Sequence, residues 1–419
     1  MKTTGGAPSS AVSVVSTLAV AQRIRNAPTD NPTGRHHNAP GGTWSSTLGW
    51  TERPDGKRVS FSDCSQGEIR FDGSEGHRMS FDIIDTTFES GGAKLAGRLI
   101  MPEGEDPAPI IVLLHGAEAD SAVRFNSLQR RLPAAGVGAF VYDKRGTGRS
   151  AGEYTQDFQV LARDAVAAMR EARRLAGDRT ARIGYQGPSQ GGWVAPLAAR
   201  ISPVDFVIVT FGLAVSVAQE DREAMEMNME AAGYGRDVLA KALELSDAAA
   251  ALIASGMTEG FERFEALRHQ YQDEPWFKHA RGNFTHVLLS LSPAELREKR
   301  EMFILGTPMY YDPMPALAAL QTPQLWILAQ DDIDAPSAET ARRLQRLRAS
   351  GRPITTAMFP RTEHGIFEYE TQADGSRLST RQPQGYLELM LDFARAGRVG
   401  DAYGSALVSV ATQSSIPAR

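Results

Sequence analysis

The sequence feature that most constrains the fold of this chain is a series of continuous apolar runs that alternate with amphipathic segments. APIIVLLHG, GVGAFVYD and VDFVIVTFG are apolar over most of their length, which is typical of strands covered on both faces. Between them, DFQVLARDAVAAMREARRLAG and SQGGWVAPLAARI carry apolar residues at helical spacing. Strands that alternate with helices predict an α/β fold, in which a mostly parallel central sheet has right-handed crossovers and helices on both faces.

The alternation is interrupted once. It runs over residues 81–213 and opens with a predicted antiparallel hairpin that turns at Gly91-Gly92. Over residues 214–318 the segments, such as RDVLAKALELSDAAAALIASG, predict helices only. The alternation then returns over residues 319–398. We therefore predict a two-part α/β core with a helical cap, which we expect to lie over the carboxyl ends of the strands, where open α/β sheets bind ligands.

Both ends of the chain differ from this core. Residues 1–80 are rich in Gly, Pro, Ser, Thr and Asn, which predicts a partly disordered extension with some β-structure. Lys2 followed by AVSVVSTLAVA has the form of a weak export signal, but serines and a threonine dilute the apolar stretch, so a cytoplasmic location is slightly favoured. Residues 399–419 form a short polar tail that we expect to fray.

Composition excludes several classes of protein. The chain has 45 basic and 50 acidic residues, so it lacks the basic surplus of a general nucleic-acid binder. No apolar run approaches the ~20 residues that span a bilayer. A single cysteine, Cys64, excludes an internal disulfide framework and a cysteine-based zinc cluster. The His36-His37 pair has no third ligand nearby. We expect neither a metal nor an organic cofactor.

The segment Gly187-Pro188-Ser189-Gln190-Gly191 matches the pattern G-x-S-x-G. It stands between a predicted strand and a predicted helix, which is the context that a nucleophile elbow requires. In such an elbow a tight turn projects the serine Oγ out of the sheet, and flanking glycines remove Cβ atoms where strand and helix approach. The positive end of the following helix lies near the charge that develops during attack. The pattern predicts a nucleophilic serine.

HGAEADSA, YDKRGTGRSAG and GPSQGGWVAPLAA occur in this order and spacing, and with them the chain resembles the α/β-hydrolase superfamily. Within it, the chain is similar to bacterial serine esterases and acyl-peptidase-like hydrolases, over residues 80–213 and 319–398. Such proteins commonly have histidine before the nucleophile, where this chain has Pro188. The resemblance implies that YDKRGTGRSAG is a structural turn in which Asp143 pairs with Arg145.

The base and the acid follow from chain order, which in this fold is serine, carboxylate, histidine. Of eight histidines, only His364 follows the last core strands, in a loop after TTAMFP. The loop after PQLWILAQ carries three carboxylates. The family pattern Gly-x-x-Asp-x-x-x-Pro places Asp332 in the catalytic position, with Asp331 and Asp334 as alternatives.

Backbone N–H groups should stabilise the oxyanion. One is expected from Gln190, directly after the nucleophile, and the resemblance implies Ala117 as the other. His115 is interpreted as structural. Five further side chains are candidate substrate contacts, each with a packing or solvated-surface alternative: Glu118, Trp193, Met225, Met229 and Tyr310.

These expectations combine into a serine hydrolase that cleaves a small-molecule carboxylic ester through an acyl-enzyme. A peptidase or amidase with the same triad is the first alternative. The second is a catalytically silent binding protein on the same scaffold.

Overall fold

A computed structural model describes residues 80–411 except residue 374. The predictions for the N-terminal extension, the export signal, Cys64 and the His36-His37 pair lie outside the described residues. So does the last part of the tail, residues 412–419. Among the described helices, none is long and apolar enough to cross a membrane.

A nine-stranded sheet forms the centre of the molecule. In chain order its strands are β1 (Phe81–Ser90), β2 (Ala93–Pro102), β3 (Ala108–Leu113), β4 (Gly138–Tyr142), β5 (Thr180–Pro188), β6 (Phe206–Thr210), β7 (Gln324–Ala329), β8 (Ile354–Phe359) and β12 (Leu407–Ser409). Their spatial order is β1-β2-β4-β3-β5-β6-β7-β8-β12. The six strands from β4 to β8 are parallel, and antiparallel pairs flank them on both sides. The predicted, mostly parallel sheet is confirmed.

Twelve α-helices are found in the described part of the chain. They are α1 (Ala122–Phe125), α2 (Leu128–Arg131), α3 (Phe158–Ala176), α4 (Gly191–Ile201), α5 (Val217–Ala231), α6 (Arg236–Ala254), α7 (Phe261–Tyr271), α8 (Asn283–Ser290), α9 (Pro293–Glu298), α10 (Met314–Ala319), α11 (Ser337–Ala349) and α12 (Tyr386–Ala396). Helices α5 to α10 follow one another between β6 and β7.

The sheet is buried on both faces, which explains its continuously apolar strands. In β3, Ile110 and Val112 pack into one apolar cluster with residues of α3, α4 and α11. Ile111 and Leu113 point to the opposite face and pack into a second cluster with residues of α12. Alternate residues of a strand point to opposite faces, so a strand with both faces covered shows no polar alternation.

Strand order predicts a crevice at the carboxyl ends of β3 and β5. The chain leaves β3 for β4 on one side and leaves β5 for β6 on the other, while β3 and β5 are neighbours. Loops that diverge from adjacent parallel strands open the gap in which α/β proteins bind ligands. The loop after β3 contains Ala117, and the turn after β5 contains Ser189.

Two small features were not predicted. Part of the tail expected to fray pairs with β8 as the edge strand β12, with Leu407 opposite Met358. A separate three-stranded sheet consists of β9 (Thr362–Glu363), β10 (Phe367–Thr371) and β11 (Arg377–Ser379). These strands are short and mostly exposed, so they lack the apolar pattern by which strands are recognised.

Candidate active site

Ser189 lies on the tight turn between β5 and α4. Its φ is +47°, in the left-handed region that costs a non-glycine residue about 1–3 kcal/mol. Its N–H donates to the Thr210 carbonyl of β6 at 3.0 Å, and its carbonyl accepts from the Gly192 N–H at 2.8 Å. These bonds hold the serine in the strained position that a nucleophile elbow requires.

The glycines around Ser189 are needed for close approach. A Cβ built on Gly187 would lie 2.3 Å from the Gly191 carbonyl oxygen, and one on Gly192 would lie 2.9 Å from the Gly212 Cα. Both distances are shorter than real Cβ contacts, and backbone atoms cannot easily move away. The elbow therefore excludes side chains at these two positions, which explains the glycine-rich sequence.

Asp332 and His364 meet at the carboxyl ends of β7 and β8. The Nδ1 atom of His364 lies 3.0 Å and 3.2 Å from the two carboxylate oxygens of Asp332. Asp332 is 1% exposed, and its Oδ1 also accepts from the backbone N–H groups of Asp334 and Ala335, at 3.0 and 2.8 Å. Backbone hydrogen bonds thus hold the Asp332 carboxylate in place independently of its contact with the imidazole.

The alternative carboxylates point elsewhere or contact His364 less directly. The Asp331 carboxylate accepts from the Tyr369 hydroxyl of β10 at 2.8 Å, so it belongs to the small sheet. Asp334 lies close enough to act on His364 through its charge, but the hydrogen bonds to the imidazole come from Asp332. Of the three carboxylates, the structure brings Asp332 onto His364.

The environment of His364 favours its charged form. Burial alone would lower the pKa of the imidazole, but the charge and hydrogen bonds of Asp332, together with the charge of Asp334, outweigh it and raise the pKa to about 9. The ring of Phe211, at the end of β6, packs edge-on against the imidazole with 4.8 Å between ring centroids. His364 is therefore held in place, and its charged form is favoured.

The Ser189 hydroxyl does not donate to His364 in this structure. The Nε2 atom of His364 is buried and has no hydrogen-bond partner among the described residues. A serine–histidine bond is often long or absent before substrate binds. The sequence predicted a single hydrogen-bonded site for all three side chains. The structure joins Asp332 to His364 and leaves Nε2 unpaired.

The oxyanion-hole candidates lie on either side of the crevice. Ala117 follows β3 and Gln190 follows Ser189, and neither N–H donates to another group among residues 80–411 as described. A Cβ built on Gly116 would lie 3.6 Å from the Ser189 Cβ, so the β3 loop runs directly beside the serine. Gly116 donates its own N–H to the Glu118 carboxylate at 3.2 Å, which places Glu118 in this loop.

The other proposed substrate contacts are mainly packing residues. Met225 and Met229 have no exposed surface and lie in the core of the inserted helices, beside residues such as Leu245. Trp193 is buried, stacks on Phe158 and donates its Nε1–H to the Val215 carbonyl at 2.7 Å. Tyr310 is exposed and lines a surface cavity of about 400 Å³ whose lining includes none of Ser189, Asp332 and His364.

His115 contacts the backbone of β4, and the pairing implied for the YDKRGTGRSAG turn is wrong. His115 lies 2.6 Å from the Tyr142 carbonyl through Nε2, and burial lowers its pKa to about 4. Asp143 does not contact Arg145; it accepts from the Ser121 hydroxyl at 2.7 Å. Arg145 instead forms a bidentate ion pair with Asp164 of α3, at 2.5 and 2.7 Å.

Asp332, Asp334 and His364 also form a cluster that could in principle hold a cation, because their ligand atoms lie within 4.8 Å of one another. Two of these groups already contact each other, however. Nδ1 of His364 lies 3.0 Å from the Asp332 carboxylate. The Asp332 oxygen Oδ1 already accepts from two backbone N–H groups.

Residues 105–279 match the serine aminopeptidase family S33. The matched residues include strands β3 to β6 and the turn that carries Ser189. The other strands of the nine-stranded sheet lie outside the matched residues. The sheet and the match together show the α/β-hydrolase fold. The match supports a serine hydrolase and does not distinguish ester from peptide substrates. No curated protein matches the chain.

Among solved structures, the chain is similar to an esterase from Pyrococcus furiosus, with 14% identity, a TM-score of 0.43, and coverage of 68% of this chain and 84% of the esterase. A Pyrococcus horikoshii acylaminoacyl peptidase is 16% identical, with a TM-score of 0.41, 68% of this chain covered and 38% of the peptidase. A hypothetical protein from Pseudomonas aeruginosa is 16% identical, with a TM-score of 0.45, 80% of this chain covered and 99% of the other.

Sequence reasoning missed two side chains beside this candidate site. Lys144, inside the YDKRGTGRSAG turn, reaches the β3 loop and the elbow. Glu220 of α5 is buried, and burial raises the pKa of its carboxyl well above the usual range, although the nearby His364 opposes this. No local pattern marks either residue, because both act on segments far away along the chain.

Proposed function

We propose that this protein cleaves carboxylic esters by nucleophilic catalysis, with Ser189 as nucleophile, His364 as general base and Asp332 as its orienting carboxylate. The observation that carries the proposal is the fixed Asp332–His364 pair with an unpaired, buried Nε2, at the same edge of the sheet as a serine on a strained elbow. A base oriented by a buried carboxylate is what activates a serine hydroxyl, which by itself is a weak nucleophile.

The proposed reaction has two steps. The Ser189 Oγ bonds to the substrate carbonyl carbon while its proton passes to His364 Nε2, and the oxyanion that forms accepts from the N–H groups of Ala117 and Gln190. The bond to the alcohol oxygen then breaks, and that oxygen takes the proton from His364. Water attacks the acyl-enzyme through the same base, which releases the acid and restores the serine.

Esters are preferred over amides on chemical grounds. An alkoxide leaves a tetrahedral intermediate more easily than an amide nitrogen, which must be protonated first. A working serine–histidine pair therefore cleaves activated esters even where it has no special recognition of the leaving group. The match to the serine aminopeptidase family favours the second candidate, a peptidase or amidase with the same machinery.

The test is a substrate panel of p-nitrophenyl esters and aminoacyl anilides, assayed with wild type and Ser189→Ala. We expect ester turnover in wild type and a loss of about 10⁴-fold or more in the variant, with the fold retained in circular dichroism. Faster turnover of anilides than of esters would favour the peptidase. Ester turnover that survives in Ser189→Ala would contradict the proposal, and would favour a binding protein with adventitious activity.

A further inference from the structure

Lys144 is a buried lysine whose ammonium group is bound entirely by the two loops at the crevice. The residue follows β4 and is 1% exposed. Its Nζ donates to the Gly116 carbonyl at 2.6 Å, the Glu118 carbonyl at 3.2 Å and the Gln190 side-chain oxygen at 3.4 Å. An ammonium has three N–H donors, and here all three find an acceptor.

The contact with Gly116 concerns the peptide group that carries the Ala117 N–H. The carbonyl of Gly116 and the N–H of Ala117 belong to one planar peptide unit and point in opposite directions. A short, charge-assisted bond that holds this carbonyl therefore fixes the direction of the N–H. It also polarises the amide, which makes the N–H a stronger donor.

Neighbouring contacts hold the rest of the loop. The Tyr154 hydroxyl donates to the Ala117 carbonyl at 2.5 Å, which fixes the next peptide plane. The Lys144 ammonium also lies 5.2 Å from the centroid of the Tyr154 ring, within the range of a cation–π contact. Through Gln190 the same ammonium reaches the residue directly after the nucleophile.

We propose that Lys144 is a positioning residue of the oxyanion hole: it links the β3 loop to the nucleophile elbow and aims the Ala117 N–H at the oxyanion. This inference rests on the proposed hydrolase function and adds to it a residue that does not touch the reacting atoms. Burial lowers the pKa of the ammonium to about 8, against the opposing charge of Glu118. A buried cation is costly to maintain, which sets this residue apart from an ordinary packing residue.

Lys144→Met tests the proposal, because methionine is similar in length and removes all three donations. We expect kcat for a p-nitrophenyl ester to fall about tenfold to a hundredfold with KM within about threefold of wild type, since complete removal of one oxyanion donor costs roughly 10²–10³. The rate constant for labelling by a fluorophosphonate should fall in parallel, because its phosphoryl oxygen occupies the same hole.

Three further variants separate positioning from folding. Lys241→Met removes an exposed lysine of α6 and should match wild type in rate and labelling. Tyr154→Phe removes one neutral bond to the loop and should lower kcat about two- to tenfold, also at constant KM. Lys144→Arg keeps a charged donor and should recover part of the lost rate. Rates are expressed per folded molecule, from the melting curve of each variant.

The outcomes distinguish this inference from the proposed function. Suppose that wild type is labelled at Ser189, and that Lys144→Met and Tyr154→Phe react as fast as wild type per folded molecule. This result would overturn the role of Lys144 and leave the proposed function intact. The role of Lys144 would also be overturned if Lys144→Met lost activity only through a higher KM, or only because a smaller fraction of the protein is folded. Wild type that neither labels nor hydrolyses esters would overturn both. If Lys144→Met does not fold, an unchanged kcat in Tyr154→Phe overturns the positioning network.

Discussion

At the scale of single residues, nearby charges determine the pKa of His364, the proposed base. Burial and hydrogen bonding act in opposite directions on His364, and the Asp332 carboxylate prevails because it lies at hydrogen-bond distance with its own position fixed by two backbone N–H groups. The imidazole must be neutral to accept the serine proton. A pKa raised to about 9 therefore predicts ester hydrolysis that increases with pH from neutral toward about 9.

Asp334→Asn tests this electrostatic account. Removal of one nearby negative charge should lower the pKa of His364, so the acid limb of kcat/KM should move to lower pH, by about half to one unit. The measurement is the pH profile of kcat/KM for a p-nitrophenyl ester. Asp331→Asn is the matched control, because its carboxylate is bound to Tyr369. An unmoved limb in Asp334→Asn, or an equal shift in both variants, would contradict the account.

At the scale of elements, one carboxylate ties three of the inserted helices together. Asp221 of α5 is 1% exposed. It accepts from the N–H groups of Phe284 and Thr285 at the start of α8, at 2.7 and 3.0 Å, and from the Ser246 hydroxyl of α6 at 2.5 Å. The negative charge also suits the positive end of α8.

Asp221→Ala should destabilise the protein, because it leaves these buried donors without an acceptor. The expected loss in the free energy of unfolding is on the order of 3 kcal/mol. Denaturant unfolding followed by circular dichroism measures it. Asp273→Ala, at an exposed position after α7, should change stability by less than about 0.5 kcal/mol. Equal stability of the two variants would show that Asp221 does not hold the helices together.

Burial and backbone packing of these elements explain which features could be predicted from the sequence. Strands β3, β4 and β6 were recognisable because burial on both faces makes them almost continuously apolar. The elbow was recognisable because the close approach of its backbone segments requires glycines. The choice among Asp331, Asp332 and Asp334 stayed open, since only the direction of each side chain decides it. Lys144 was missed because its acceptors lie 26 to 46 positions away.

At the scale of the whole molecule, strand order accounts for the site. Adjacent strands β3 and β5 send their loops in opposite directions, and β7 and β8 end at the same edge of the sheet. Ser189, Asp332 and His364 thereby come from three separate parts of the chain to one side of the fold. We propose that these three residues act as one catalytic unit. Substitution of a second member should therefore lower the rate little further once the first has been substituted.

Fluorophosphonate labelling, followed by mass spectrometry of the intact protein and of its peptides, tests this central claim most directly. The account predicts one adduct, on Ser189, in wild type, no adduct in Ser189→Ala, and labelling slowed by several orders of magnitude in His364→Ala. Absence of an adduct on Ser189 in folded wild type, or labelling of His364→Ala at the wild-type rate, would contradict it.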